Sequence, residues 1–150
     1  MPSKASFMMH AFEQALLAKE RGEVPVGAVI VRNGQILSCD GNRTLELKDP
    51  TAHAEILVIR QAADLMNSER IGDCDLYVTL EPCAMCAAAI SYARIRRLYY
   101  GASDIKSGGV ENGSRFFTQP TCHHAPEIYS GFMETESAKL LKDFFQDKRS

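Results

Sequence analysis

Four side chains have the types and spacing for metal-assisted chemistry. They are His53 and Glu55 in Pro50-Thr51-Ala52-His53-Ala54-Glu55, and Cys83 and Cys86 in Leu80-Glu81-Pro82-Cys83-Ala84-Met85-Cys86. Taken alone, each half says little. A Cys-x-x-Cys pair serves as a redox couple, as half of a structural zinc site, or as two unrelated thiols. Together the residues form a donor set suited to zinc, which in catalytic sites keeps three protein ligands and one open position. His53, Cys83 and Cys86 supply the three. Two thiolates cancel the charge of Zn2+, and a water in the open position is acidified toward neutral pH. Glu55 is not needed as a ligand and can shuttle protons between that water and a substrate. The competing arrangement is a structural zinc site closed by Cys74, Cys122, His123 or His124. Such a site has no use for the carboxylate.

These residues need rigid carriers. Pro50 precedes a helical pattern, and Pro82 falls at an expected helix start, a position proline tolerates. Cys83 and Cys86 are neighbours on one helix face. His53 and Glu55 are two apart, so they can cooperate only around the first turn of a helix. Two helix N-termini facing one metal favour thiolate and hydroxide.

The remaining chain supplies the frame. Lys4 to Arg21 reads as an amphipathic helix with Met8, Ala11, Phe12, Ala15 and Leu16 on its buried stripe, stopped at Gly22. His10 near that stripe is given no ligand role. Val24 to Val31 is almost continuously apolar, as in a strand covered on both faces. Asn33-Gly34 is a hairpin signal, with Gln35 to Asp40 returning as the second strand. Gly41-Asn42-Arg43 leaves through a polar loop, and Asn42 reads either as a turn residue or as an amide able to pair with a nucleoside. Ala52 to Met66 is the first metal-bearing helix, Cys74 a linker residue, Asp75 to Leu80 a strand, and Ala84 to Ala93 the second metal-bearing helix. Arg96 to Tyr100 is the next strand, followed by the glycine-rich loop Gly101 to Gly109, which lacks a phosphate-loop pattern. Val110 to Ala125 has little periodicity. Its Cys122-His123-His124 resembles a metal cluster, but the three zinc ligands are already assigned, so a loop or interface role is expected. Glu127 to Phe132 is a short edge strand and Glu134 to Lys148 a closing helix. This order describes an α/β protein, a mixed sheet with helices on both faces.

The chain has 150 residues, 45% apolar and 24% charged, which suits one domain over 1–150. The net charge of −2 excludes a global basic field, so nucleic-acid binding needs a local patch. No apolar run approaches a membrane span, no signal-peptide pattern opens the chain, and the five cysteines are odd in number. A reducing, cytoplasmic protein without disulfides or membrane contact is expected.

His-x-Glu followed by Pro-Cys-x-x-Cys resembles the signature of zinc-dependent nucleobase deaminases. More specifically, Glu23 to Val29, Gly41-Asn42-Arg43, Asp49 to Ile56, Leu76 to Ala87, Ala93 to Arg97, Tyr100 to Asp104 and Leu141 to Phe145 resemble the bacterial tRNA-specific adenosine deaminases. The resemblance runs from about residue 7 to 149 and departs from the family between Glu111 and Ala125. It implies a cytidine-deaminase-like fold, a three-layer αβα sandwich around a mixed five-stranded sheet. It also implies one Zn2+ per chain, a homodimer, and conversion of the wobble adenosine in a tRNA anticodon stem-loop to inosine, with no DNA partner. In that family reading Glu55 is the catalytic proton carrier, His53, Cys83 and Cys86 hold the metal, and Asn42, Val26, Ala54 and Asp104 contact the substrate.

Three competitors remain from the sequence: a free-base (guanine or cytosine) deaminase of the same fold, a nucleoside or nucleotide deaminase, and a zinc-stabilised RNA-binding module. Basic residues cluster late, at Arg94, Arg96, Arg97, Lys106, Lys139, Lys142, Lys148 and Arg149. They read as a phosphate-binding rim or as a solvated face balanced by Glu134, Glu136, Asp143 and Asp147.

Overall fold

A computed structural model describes residues 3–149, the side chain of Arg149 excepted. Helix α1, Lys4–Glu20, begins at Ser3, whose hydroxyl accepts from Ser6 N at 3.1 Å. It buries Phe7, Met8, Ala11, Ala15 and Ala18. The expected stripe is shifted: Leu16 is exposed, Phe12 is half-buried, and Phe7 and Ala18 take the inner positions.

Strand β1, Gly27–Arg32, starts later than the apolar run beginning at Val24. Pro25 has no N–H to give a ladder, and Val26 N donates back to Val24 O at 2.8 Å, a three-residue turn. The hairpin to β2, Gln35–Gly41, passes through Asn33 at φ 51° and Gly34 at φ 76°. Two positive φ angles in a row match a two-residue turn with the native strand twist.

Helix α2 is Ala54–Met66, β3 Cys74–Leu80, α3 Ala84–Tyr92 and β4 Arg97–Ala102. A 3-10 turn at Phe116–Thr118 precedes β5, Glu127–Tyr129, and α4 closes the chain at Glu134–Arg149. Cys74 is not a linker residue: it is buried and opens β3.

The strand order is β2-β1-β3-β4-β5. β1 runs antiparallel to both neighbours, whereas β3, β4 and β5 are parallel. The sheet is therefore mixed and five-stranded, as expected. On one face Val29, Val31, Tyr77 and Tyr99 meet Phe7, Met8 and Ala11 of α1. α4 reaches this same face, with Ser137 over Gly101 of β4. On the other, Ala28, Ile30, Leu76, Val78, Leu98 and Tyr100 pack on Val58 and Ala62 of α2 and Ala87 and Ile90 of α3. Three layers result. The parallel strands β3 and β4 end together, Leu80 beside Ala102, at the edge where α3 begins. Crevices beyond the carboxyl ends of parallel strands are where open α/β sheets bind ligands.

Candidate active site

His53 is the N-cap of α2 and Cys83 the N-cap of α3. Both have extended backbone, and neither side chain caps its own helix. Each instead turns into the space between the helix starts. Pro82 therefore stands one residue outside the cap rather than in the first turn. His53 Nδ1 lies 3.6 Å from Cys83 Sγ and 3.5 Å from Cys86 Sγ. The donor atoms of all three lie within 4.8 Å of one another. A tetrahedral zinc with bonds of about 2.05 Å to nitrogen and 2.3 Å to sulfur would hold those atoms about 3.5 Å apart. The trio thus fits a metal, and it is the only such group among the described residues.

The local electrostatics point the same way. The Cys83 thiol is lowered to about 4, first by the hydrogen bond from the Cys86 thiol and then by His53, against burial. Cys86 is pushed up by the same contact and by its burial. One negative charge is shared by two sulfurs, and a divalent cation would stabilise the second. His53 is raised, chiefly by its hydrogen bond with Cys83. Glu55, in the first turn of α2 and 4% exposed, is pushed up to about 7, primarily by burial. A carboxyl poised near neutrality beside a metal site suits a group that must both take and give a proton.

His53, Glu55 and Cys83 open onto a cavity of about 230 Å³ whose walls include Val24, Val26, Asn42, Thr44, Leu80, Asp104 and Ser107. Asn42 is 8% exposed, and its Oδ1 accepts from Ala54 N at 2.8 Å. The side chain thereby satisfies the free N–H at the start of α2 and turns its amide NH2 end to the cavity side. Val26, Asn42 and Asp104 line the cavity. Ala54 does not: its methyl sits in the core beneath α2, and its N–H is taken by Asn42.

Two buried carboxylates shape this rim, and motif spacing pointed to neither. Glu23, 1% exposed, accepts from Thr44 Oγ1 (3.2 Å), Leu45 N (3.1 Å) and Glu46 N (2.9 Å). Burial acts to raise its carboxyl, but the backbone N–H groups of Glu46 and Leu45, Thr44 and Arg21 outweigh it and hold it low. Glu81 does the same for the loop after β4. The available signal was an acid at the edge of an apolar run: Glu23 before Val24, and Glu81 after Leu80. Thr44, Ser107, Val24 and Leu80 gave no signal of their own.

Several of the late basic residues are engaged locally, and the side chain of Arg149 lies outside the described residues. Arg96 pairs with Asp75 at 3.0 Å and Arg97 with Glu127 at 3.5 Å. Arg97 opens β4 and Arg96 immediately precedes it, roughly 17 Å along the strand from the site at about 3.3 Å per residue. Lys139 pairs with Asp143 at 2.6 Å, and Lys148 Nζ lies 5.4 Å from the Phe144 ring centroid. Cys122 and His124 turn to α3 and its exit: Cys122 Sγ is 3.6 Å from Ser91 Oγ, and His124 Nε2 is 2.7 Å from Ile95 O.

Comparison with known proteins places this geometry in a class. Residues 2–149 match the family model described as MafB19-like deaminase. The fold recurs in a guanine deaminase from Nitrosomonas europaea, at a TM-score of 0.83 with 18% identity, over 96% of this chain and 85% of that one. Much nearer in sequence is the tRNA-specific adenosine deaminase of Agrobacterium fabrum, 60% identical over 149 residues, covering 99% of this chain and 98% of the relative. A solved structure from work on A-to-I editing by tRNA:A34 deaminases superposes at a TM-score of 0.91. It is 62% identical and covers 92% of this chain and all of the other. The chain belongs to the tRNA-specific adenosine deaminase family. No helix among the described residues is long and apolar enough to cross a membrane.

Proposed function

We propose that this enzyme hydrolyses adenosine to inosine at the wobble position of a tRNA anticodon, releasing ammonia, with one Zn2+ held by His53, Cys83 and Cys86. The observation that carries this reading is a buried Glu55 beside three convergent donor atoms, in a chain 60% identical to a tRNA-specific adenosine deaminase. Zinc, when bound, supplies the Lewis acidity that makes water nucleophilic near neutral pH. Glu55 would carry one proton of that water to a ring nitrogen, where it stays, and the second to the amine, which leaves as ammonia when the C–N bond breaks. The NH2 of Asn42 holds the base by a donated hydrogen bond, and Val26 packs against it. Asp104 borders the opposite wall.

The surroundings support a polymer rather than a free base. The cavity opens into a groove of about 660 Å³ that shares Val24, Leu80, Asp104 and Ser107 with it. Its far side carries Lys106 and the half-exposed Phe145 of α4. A cation and an aromatic ring suit phosphate and a stacked base. Flipping is cheap for a base already unpaired in an RNA loop. A homodimer is part of the proposal, supported by Tyr92, 72% exposed at the end of α3. Ile90, two residues earlier on α3, is fully buried in the chain's own core.

The test is inosine release from an anticodon stem-loop RNA, set beside adenosine, adenine, guanine and cytosine. The RNA is expected to turn over fastest, and more slowly as salt screens phosphate contacts. Glu55→Ala is expected to keep zinc and RNA affinity while turnover falls about 10²–10⁴-fold. Faster deamination of guanine than of the RNA, or an active Glu55→Ala protein, rejects the assignment.

A further inference from the structure

The loop after β4 brings Asp104 and Ser107 to the cavity wall, yet no helix or strand holds it there. One buried side chain does. Glu81 is 2% exposed. Its Oε1 accepts from Asp104 N at 2.9 Å and Asn112 Nδ2 at 2.7 Å. Its Oε2 accepts from the backbone N–H groups of Val110 (3.1 Å), Glu111 (2.9 Å) and Asn112 (3.0 Å). The two ends of the loop therefore close on a single carboxylate.

The loop also sits directly on the metal-bearing turn. Gly109 N donates to Pro82 O at 2.8 Å. A Cβ on Gly108 would stand 2.6 Å from Glu81 Oε2, and one on Gly109 2.5 Å from Ala84 N. Only glycine permits so close an approach. The residue beside Pro82-Cys83 thus ties the turn carrying a metal ligand to the loop carrying the opposite wall of the cavity.

We propose that Glu81 is a substrate-positioning residue. By clamping residues 104–112 it sets the distance between the Asp104–Ser107 wall and the reacting centre at Glu55 and Cys83. The proposal deepens, and rests on, the reading of this site as an RNA adenosine deaminase. Glu81 also borders the cavity, but both its carboxylate oxygens are committed to loop donors, so it acts through the loop and not on the base. An amide cannot replace it, because its NH2 would face at least two of those donors.

The experiment compares wild type, Glu81→Gln and Asn112→Ala as zinc-loaded, full-length proteins acting on an anticodon stem-loop RNA. Zinc per chain, kcat, KM, Tm and amide exchange across 104–112 are measured. Expected for Glu81→Gln are unchanged zinc, a KM raised about tenfold or more with a smaller change in kcat, and faster exchange in 104–112 with α2 and α3 still protected. Asn112→Ala, which removes one of the clamp's donors, shifts KM and exchange the same way by less, and carries the comparison should Glu81→Gln fail to fold. A lowered Tm with wild-type KM makes Glu81 structural only and overturns the proposal, as does unchanged loop exchange. A wild-type protein inactive on the RNA removes the functional reading, and loop exchange then decides the clamp by itself.

Discussion

The metal end and the rim of the cavity are built by opposite strategies. At the metal end, two helix N-caps and residues within three positions of them supply every polar group. Their partners come from the other helix start, His53 facing Cys83 and Cys86 from 30 and 33 positions away, and the helices α2 and α3 fix their directions. At the rim, two loops with no regular structure are each held by one buried acid far away in the chain. Glu23 reaches residues 44–46, and Glu81 reaches 104–112. With the proposed zinc, the metal end would depend on a charge the protein must bind, whereas the rim depends on charges it already carries. The two should fail differently: the first by losing chemistry and fold together, the second by losing shape alone.

The largest effect tests the first half of that contrast. Cys86→Ala removes a fully buried donor at the junction of α2 and α3. Zinc bound per chain is expected to fall steeply, activity to vanish, and thermal stability to drop, because metal binding here is also folding free energy. Metal analysis and a melting curve with and without chelator check it. Full zinc content in this variant would mean that other donors, Cys122 or His124, close the site, and the contrast would collapse.

The difference in construction also explains what could be read in advance. His53, Glu55, Cys83 and Cys86 were legible because zinc chemistry demands fixed residue types at helix-start spacing. The elements carrying them were legible because periodicity and the Asn33-Gly34 turn are local. The rim was not. Glu81 contacts donors 23 to 31 positions away, all but one of them backbone N–H groups that no residue type marks. The charge of Arg96 and Arg97 is visible in sequence and left both a phosphate-binding rim and a balanced face open, whereas their pairing with Asp75 and Glu127 depends on strand register. The bond from Ala54 N to Asn42, twelve residues earlier, is likewise a backbone contact that no residue type announces.

A middle-sized effect tests the rim. Glu23→Gln keeps the shape but leaves a buried N–H of residues 44–46 facing an amide. The expected loss is about 1–3 kcal/mol, or roughly 2–4 °C of Tm per kcal/mol for a chain this size, with zinc content unchanged. The pH dependence has a definite sign. The Glu23 carboxyl lies below its ordinary value of 4.5. Its charge-linked stabilisation is therefore complete above that value and lost as pH falls through the lower folded value. The stability gap between wild type and Glu23→Gln should narrow in acid. A gap that stays constant down to the acid transition would show that the carboxylate's charge does not hold the loop.

The smallest effect sharpens the contrast from a third place, where histidine and cysteine again lie together. Cys122-His123-His124 has the composition of a metal site but the construction of the rim. His124 Nε2 meets Ile95 O at 2.7 Å just beyond the end of α3. As a carbonyl only accepts, Nε2 must be the protonated nitrogen in this contact. Such a bond satisfies a main-chain acceptor in the connection between α3 and β4, and it needs no metal. His124→Ala is therefore expected to cost about 0.5–1.5 kcal/mol, to leave zinc per chain at the wild-type level, and to leave kcat on the RNA within about twofold. Parallel melting curves, metal analysis and initial rates measure all three. A fall in zinc content would move His124 from the fold to the metal end, because losing a single carbonyl contact outside the His53–Cys83–Cys86 cluster gives no other route to metal loss.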